Sequence, residues 1–259
     1  MNSPSLLIAG AGDLGLRVAL FLQSHPELIQ DLGSNKIFCQ TQGVSRHEQI
    51  RAAGFAAFVG PPATKTTHLL IAFPPGPNYS DDVTRALDSW SGEGAAVLLS
   101  SVGVYTESDG GLVDESSATD PTSVIVAAES LALSRGAHVL RLAGLYSESR
   151  GPQIFWKSRG ESPSWSGGLV NLIHRDDAAE VASRLLASEL SPSTWCLSDG
   201  TPLTRREIDR AWSSRESLPD TRFTAPGGPL GKRICSEKIR RALDWEPRWA
   251  SFVDFASDA

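Results

Sequence analysis

Three glycines near the start of the chain have the spacing to bind phosphate. In Gly10-Ala11-Gly12-Asp13-Leu14-Gly15 they follow the apolar run Leu6-Leu7-Ile8-Ala9 and precede an amphipathic stretch through Phe21 and Leu22. Strand, tight turn and helix in that order are the setting in which Gly-x-Gly-x-x-Gly holds a dinucleotide. The first glycine makes the turn, the second lets backbone approach the pyrophosphate, and the third lets the helix pack close to the strand. Gly10, Gly12, Asp13, Leu14 and Gly15 are therefore the candidate phosphate-binding residues, with free N–H groups at the positive end of the helix dipole. A turn that is merely structural is the competing reading.

The type of dinucleotide is read further on. A site that prefers NAD usually carries an acidic residue about 20 positions beyond the glycines, where it binds the ribose hydroxyls. Here that stretch is Phe38-Cys39-Gln40-Thr41-Gln42-Gly43-Val44-Ser45-Arg46-His47, with no carboxylate before Glu48. Thr41 and Gln42 are neutral donors, while Ser45 and Arg46 could meet a 2′-phosphate at a helix N-terminus. NADP is expected in preference to NAD, which stays possible. Arg46 as a solvated first-turn residue is the alternative.

These residues need elements to hold them. Continuous apolar runs at Leu6–Ala9, Lys36–Thr41, Phe55–Val59, His68–Phe73, Ala95–Ser100 and His138–Leu142 read as strands. Helical stretches alternate with them: one follows Gly12, one opens at a Ser45–Glu48 capping box, and others span Ser80–Trp90 and Val124–Ser134. Alternation of this kind predicts an α/β, doubly wound (Rossmann) fold with a mostly parallel sheet covered on both faces. A polar connection is expected from Ser24 to Asn35, and a flexible substrate-side loop over Ser149–Ser166, where Trp156 and Trp165 could cover an apolar ligand. A second capping box, Thr204 to Glu207, opens a later helix. Residues 1–145 are expected to form the dinucleotide-binding core and 146–259 a smaller C-terminal lobe partly interleaved with it.

Composition narrows the function classes. The 259 residues carry a formal net charge of −6 and no Lys/Arg cluster, so no nucleic-acid partner is expected. Cys39, Cys196 and Cys235 lie far apart, with neither metal-ligand spacing nor a disulfide framework, which fits a reducing cytoplasm and no metal site. The apolar N-terminus lacks a basic flank and is broken by glycine, unlike a signal peptide. No run approaches the ~18 apolar residues of a membrane span. A small-molecule substrate is the expected partner, and oligomeric state stays open.

Six segments in order resemble one family. They are the glycine turn, Ser100-Ser101-Val102-Gly103-Val104-Tyr105, Gly110-Gly111-Leu112-Val113-Asp114-Glu115, Leu140-Arg141-Leu142-Ala143-Gly144-Leu145-Tyr146, Ile173-His174-Arg175-Asp176-Asp177 and Lys232-Arg233-Ile234. Together they resemble an atypical extended short-chain dehydrogenase/reductase of the NAD-dependent epimerase/dehydratase superfamily. The resemblance implies a Tyr-x-x-x-Lys pair on the helix after the Ser-Ser strand, which moves the proton accompanying hydride transfer. This chain departs from it. Its tyrosines are Tyr79, Tyr105 and Tyr146, followed four residues on by Val83, Asp109 and Arg150, and no lysine lies between Lys65 and Lys157.

Other roles follow from the same resemblance. Ser100 is assigned to the cofactor. Ser101 stands where the family has a Ser/Thr that hydrogen-bonds substrate; the alternative is a strand-end hydroxyl satisfying nearby backbone. Tyr105 either packs beneath the site or donates a proton. Phe73-Pro74-Pro75 would wall the adenosine. His174, Arg141 and Glu115 are expected to be structural. The implied activity is that of an NAD(P)-binding oxidoreductase or epimerase-like protein acting on a small carbonyl or sugar-type substrate. The alternative is a catalytically silent NAD(P)-binding redox sensor or regulatory protein.

Overall fold

The computed structural model describes residues 5–33 and 36–258, so the end of the expected Ser24–Asn35 connection lies outside the described residues. Strand β1 (Leu6–Ala9) is buried throughout and turns at Gly10 into helix α1 (Asp13–Ser24). Part of the expected polar connection is helix α2 (Pro26–Asp31), opened by proline at its first turn, where no backbone donor is needed. Next come β2 (Ile37–Thr41), α3 (His47–Ala52), β3 (Ala56–Val59), β4 (His68–Ile71), α4 (Tyr79–Asp88), β5 (Ala96–Ser101) and β6 (Asp109–Val113). They lead to α5 (Val124–Ser134), β7 (His138–Leu142), β8 (Gly144–Tyr146), α6 (Pro152–Arg159), β9 (Glu161–Trp165), β10 (Leu169–Val170), β11 (Leu172–His174) and α7 (Arg175–Ala187). The last elements are β12 (Thr194–Leu197), β13 (Leu203–Thr204), α8 (Arg205–Glu216), β14 (Arg222–Ala225), β15 (Gly231–Ile234), α9 (Glu237–Leu243) and α10 (Phe252–Ser257).

Two local expectations are corrected. Ser45 caps nothing: Val44–Arg46 wind into a 3-10 turn, Arg46 becomes the residue before α3, and no side chain caps that helix. Thr41 holds this turn, its hydroxyl donating to the Gly43 carbonyl (2.8 Å) and lying 2.8 Å from His47 Nε2, and the helix starts one residue late. Nor is Ser149–Ser166 a loop. Gly151 and Pro152 open α6, Gly160 closes it with φ +67°, and β9 follows, a start and stop that fit the usual helix signals. The Thr204–Glu207 box forms in full.

The central sheet has seven strands in the order β12-β7-β5-β4-β1-β2-β3. The registers of β1 with β2 and β4, of β2 with β3, and of β4 with β5 are parallel. Strand order reverses between β1 and β4, and a doubly wound sheet binds ligands beyond the carboxyl ends of its strands at such a reversal.

The chain sorts into two compact units. One holds the described residues up to Ser100, Asp120–Arg141 and Ala179–Trp195; the other holds Ser101–Thr119, Leu142–Ala178 and the chain from Cys196 onward. In the first, Leu7, Leu69, Ile71, Val83, Leu98 and Val139 form a buried core. In the second, Tyr146, Trp156, Ile208, Trp212, Phe252 and Phe255 do so. Trp156 is thus core and not a cover for ligand. Burial of each such side chain contributes about 1.5–3 kcal/mol.

Candidate functional site

The three glycines of the first unit have three different reasons to be glycine. Gly10 has φ +92°, and a β-carbon there would stand 2.5 Å from the Phe73 nitrogen. A β-carbon on Gly15 would stand 2.5 Å from the Gly10 carbonyl oxygen and 3.0 Å from Ile8 Cγ2. Gly12 has φ −77°, and a β-carbon there would meet no atom nearer than 3.9 Å. Gly12 therefore faces open space that its own backbone borders, and its ordinary φ places no conformational demand for glycine. The turn is fixed by backbone: the N–H groups of Gly10 and Ala11 both donate to the Gln40 carbonyl, at 3.0 and 2.8 Å. No side chain caps α1, whose first turn begins at Asp13 and Leu14.

Phe73, Pro74 and Pro75 run past this turn from the end of β4. Phe73 is half-buried, its ring edge-on to Tyr79 at 5.9 Å, while Pro74 and Pro75 are exposed. Beyond β2, the Thr41 hydroxyl is occupied by Gly43 and His47, as described above. Arg46 is exposed and makes no hydrogen bond or ion pair among the described residues. Because α3 has only six residues and starts at His47, no long helix N-terminus stands behind it.

Ser100, the last but one residue of β5, donates its hydroxyl to Glu129 Oε1 at 2.5 Å. Glu129 is 2% exposed and takes a bidentate contact from Arg141, Nε at 3.0 Å to Oε1 and Nη2 at 2.6 Å to Oε2. Such pairs are costly to break singly, about 3–5 kcal/mol, because the survivor is left buried and charged. Arg141 is thus a structural ion-pair residue. The helix carrying Glu129, α5, has no tyrosine or lysine in Val124–Ser134.

In the second unit, Ser101 is exposed and its oxygen accepts the Gly103 N–H at 3.0 Å, capping a short 3-10 turn over Val102–Val104. This is the backbone-satisfying arrangement, and it leaves the hydroxyl hydrogen to be donated elsewhere. Tyr105 is 4% exposed, with its Oη 2.9 Å from Cys196 Sγ. Glu115 accepts the Cys196 N–H at 2.9 Å. His174 is packed among Tyr146, Trp249 and Phe255, at ring separations of 5.3, 4.6 and 5.4 Å.

Two of the three tyrosines hold phenols that are harder to ionise than usual. Burial, with Glu129 adding its charge, pushes Tyr79 up to about 12. Tyr146 is fully buried and is raised further by burial and the charges of Asp199, Asp177 and Asp254.

Lys232 was not singled out by the sequence as a side chain with a role. It donates to the Tyr105 carbonyl and, at 3.5 Å, to that of Val102, so it holds the turn that carries Ser101 from its far end. Burial pulls its ammonium below the ordinary lysine range, against the opposing charge of Glu107. Only its membership of the Lys232-Arg233-Ile234 segment hinted at a function. Cys196 and Glu129 carried no signal at all, since their partners are 91 and 29 residues away.

No family model and no curated protein matches the chain. Solved structures do. One is a functionally unknown conserved protein from Silicibacter pomeroyi, 22% identical, covering 98% of this chain and 97% of that one, with a TM-score of 0.76. Another is dTDP-glucose 4,6-dehydratase from Bacillus anthracis in complex with NAD, at 14% identity, 98% and 94% coverage and a TM-score of 0.80. A third is UDP-glucose-4-epimerase from Stenotrophomonas maltophila with bound NAD, at 15% identity, 99% and 96% coverage and a TM-score of 0.73. The chain has the doubly wound fold of these dehydratase and epimerase structures over nearly its whole length, in line with the resemblance carried by its motifs. No helix among the described residues is long and apolar enough to cross a membrane.

Proposed function

We propose that this chain is an NAD(P)-binding oxidoreductase or epimerase-like protein acting on a small carbonyl or sugar-type substrate in the cytoplasm. The observation that carries the reading is the glycine turn at the strand-order reversal, where Gly10 and Gly15 are held by close contacts and Gly12 alone borders open space. That division of labour fits a pyrophosphate: Gly10, Gly12, Asp13, Leu14 and Gly15 would hold it, with Phe73-Pro74-Pro75 and Ser100 beside the rest of the cofactor. The fold shared with two NAD complexes supports a nicotinamide cofactor. When bound, the nicotinamide supplies the hydride-accepting and hydride-donating carbon. Exposed, unpaired Arg46 and the missing carboxylate at the end of β2 favour NADP over NAD, with Thr41 supporting the loop rather than the ribose. The three cysteines are free thiols, Cys39 and Cys196 buried and Cys235 half-buried, which suits a reducing compartment.

Ser101 is the residue we assign to the substrate, with its hydroxyl hydrogen free to donate to a carbonyl or hydroxyl oxygen. Lys232 positions it by clamping the turn. Tyr105, buried against Cys196, is a packing residue. The second reading, a silent NAD(P)-binding sensor or regulator, is favoured by one observation: α5 offers neither tyrosine nor lysine, and all of the tyrosines are buried. Titration with NADPH and NADH, followed by tryptophan fluorescence, tests the cofactor assignment; failure of both to bind at millimolar concentration overturns it. Turnover of carbonyl or sugar-nucleotide substrates, monitored at 340 nm or by product analysis, separates the enzyme from the sensor.

A further inference from the structure

The amino ends of three sheet strands in the first unit frame a pocket of about 450 Å³, a volume within the range of small-ligand sites. His68 is the first residue of β4 and His138 of β7, and Ala95 immediately precedes β5. The glycine turn follows the carboxyl end of β1, which pairs in parallel with β4, so the pocket stands at the opposite edge of the sheet. Trp90, Leu186 and Leu190 give it apolar walls. The indole is fixed there, its N–H shared between the carbonyls of Thr67 at 2.8 Å and Gly94 at 3.1 Å.

His68 brings a hydrogen-bond acceptor to this pocket. The Thr67 hydroxyl accepts the Ser5 N–H at 2.8 Å, donates to the Ser5 carbonyl at 3.0 Å and lies 3.0 Å from His68 Nδ1. A hydroxyl has one hydrogen, here given to Ser5, so Nδ1 is the donor to Thr67 and the lone pair falls on Nε2. Nε2 makes no hydrogen bond among the described residues. Burial pulls the imidazole below its ordinary range, which keeps the ring uncharged at neutral pH. Gly94 lies outside the positive-φ region, yet a β-carbon there would run into this imidazole, so the seat of the ring requires glycine. His138 is differently placed, its Nδ1 accepting the Trp195 indole N–H at 3.0 Å.

The uncompensated charges around the pocket have one sign. Asp31, Glu93 and Glu189 are exposed in its lining, and none forms an ion pair among the described residues. Arg135, the lining residue of opposite charge, is taken by Asp88 at 2.8 Å. A cleft with one sign of charge concentrates counter-ions. An ammonium group only donates hydrogen bonds, which matches three carboxylates and a lone-pair nitrogen. A metal ion is a poorer match: no group of three or more His, Cys, Asp or Glu side chains among the described residues is set to hold one. We propose that this pocket binds an organic cation, a protonated amine carried on an apolar body. His68 Nε2 accepts from the ammonium, the carboxylates attract it, and Trp90, Leu186 and Leu190 receive the body. The site does not depend on the glycine turn binding a dinucleotide.

The test uses the full-length protein without cofactor, titrated calorimetrically with benzylammonium, benzyl alcohol, benzoate and magnesium ions. Benzylammonium should bind best, with benzyl alcohol about tenfold weaker or more, the scale of a hydrogen bond to a charged group. Benzoate should not bind. His68→Leu should weaken benzylammonium binding by the same factor, and Glu93→Gln with Glu189→Gln should weaken it about threefold or more, as exposed charge pairs do. NADPH titration of these variants should be unchanged, so failure here is separable from failure of the cofactor assignment. Should His68→Leu not fold, benzylammonium must instead protect His68 of the wild type from diethyl pyrocarbonate, mapped by mass spectrometry. Wild-type affinity in His68→Leu, no protection, equal binding of benzyl alcohol, or displacement of the amine by magnesium would each overturn the proposal.

Discussion

Alanine placed in turn at Gly10, Gly12 and Gly15 should separate binding from folding. At Gly10 the substitution meets two costs: a left-handed backbone, about 1–2 kcal/mol, and overlap with rigid backbone, about 1–3 kcal/mol. The overlap is with the Phe73 nitrogen at 2.5 Å. Together they destabilise by about 2–5 kcal/mol, a large part of a domain's margin. Gly15→Ala meets only the second kind, against the Gly10 carbonyl oxygen at 2.5 Å and Ile8 Cγ2 at 3.0 Å. About 1–3 kcal/mol is expected there. Gly12 differs in sign. With φ −77° and nothing within 3.9 Å, alanine should leave stability unchanged or raise it by up to about 1 kcal/mol through the unfolded chain. Yet Gly12→Ala should weaken NADPH binding and Gly12→Val abolish it, because the added carbons fill the space a pyrophosphate would occupy. Urea unfolding gives the stabilities and tryptophan fluorescence the affinities. The reasoning is refuted if Gly12→Val binds NADPH as the wild type does, or if Gly12→Ala unfolds as readily as Gly10→Ala.

Arg46→Ala should lower NADPH affinity by about 1.5–3 kcal/mol, the weight of hydrogen bonds to a charged group, and leave NADH affinity unchanged; paired titrations decide, and tighter NADH binding by the wild type reverses the preference. If the protein turns over a carbonyl substrate, Ser101→Ala should slow it about 10²-fold, as loss of an oxyanion donor does, while Tyr105→Phe should change little; the opposite ranking would transfer the catalytic role to Tyr105. Asp199 supplies a pH test: burial raises its carboxyl from 3.8 to about 7, one oxygen accepting the Thr201 N–H at 3.0 Å and Oδ2 having no partner. Its contribution to stability is full below pH 3.8 and is lost as pH rises through about 7. Asp199→Asn should therefore gain about 2–3 kcal/mol over the wild type between pH 5 and pH 8 at ~1.36 kcal/mol per unit, read by urea unfolding, and parallel pH profiles would refute the assignment.

The parts of this fold that could be read in advance are those written in local pattern. Leu6–Ala9 is apolar at every position because both faces of the central strand are covered, and the run into Gly10 marks where it stops. In β4, β5 and β7 the apolar runs are shorter, Leu69–Ile71, Ala96–Leu99 and Val139–Leu140, but they too alternate with helices. Local signals misled where a distant or non-helical contact intervened. Ser45 has the chemistry of a cap, but the Thr41–His47 contact settles the turn first. In Ser149–Ser166 the abundance of glycine and proline looked like a loop, although Pro152 and Gly160 stand where a helix start and stop belong.

Site residues divide along the same line, and the division bears on the chemistry. The glycine turn is contiguous, so spacing alone announces it. Ser101, Tyr105 and Lys232 meet only through the pairing of β15 with β6, which brings residue 232 to the turn at 102–105 across 127 positions of sequence. A cation thus does reach the turn beside Ser101, though by a route that no Tyr-x-x-x-Lys spacing could reveal, and it grips backbone instead of a phenol. The phenol nearest it donates to or accepts from a buried thiol. With the Tyr105 phenol engaged by that thiol, the proposed chemistry would move its proton through Ser101 or through the substrate and solvent. Chemistry under that constraint suits substrates whose own hydroxyl protons exchange readily with water, as those of a sugar do.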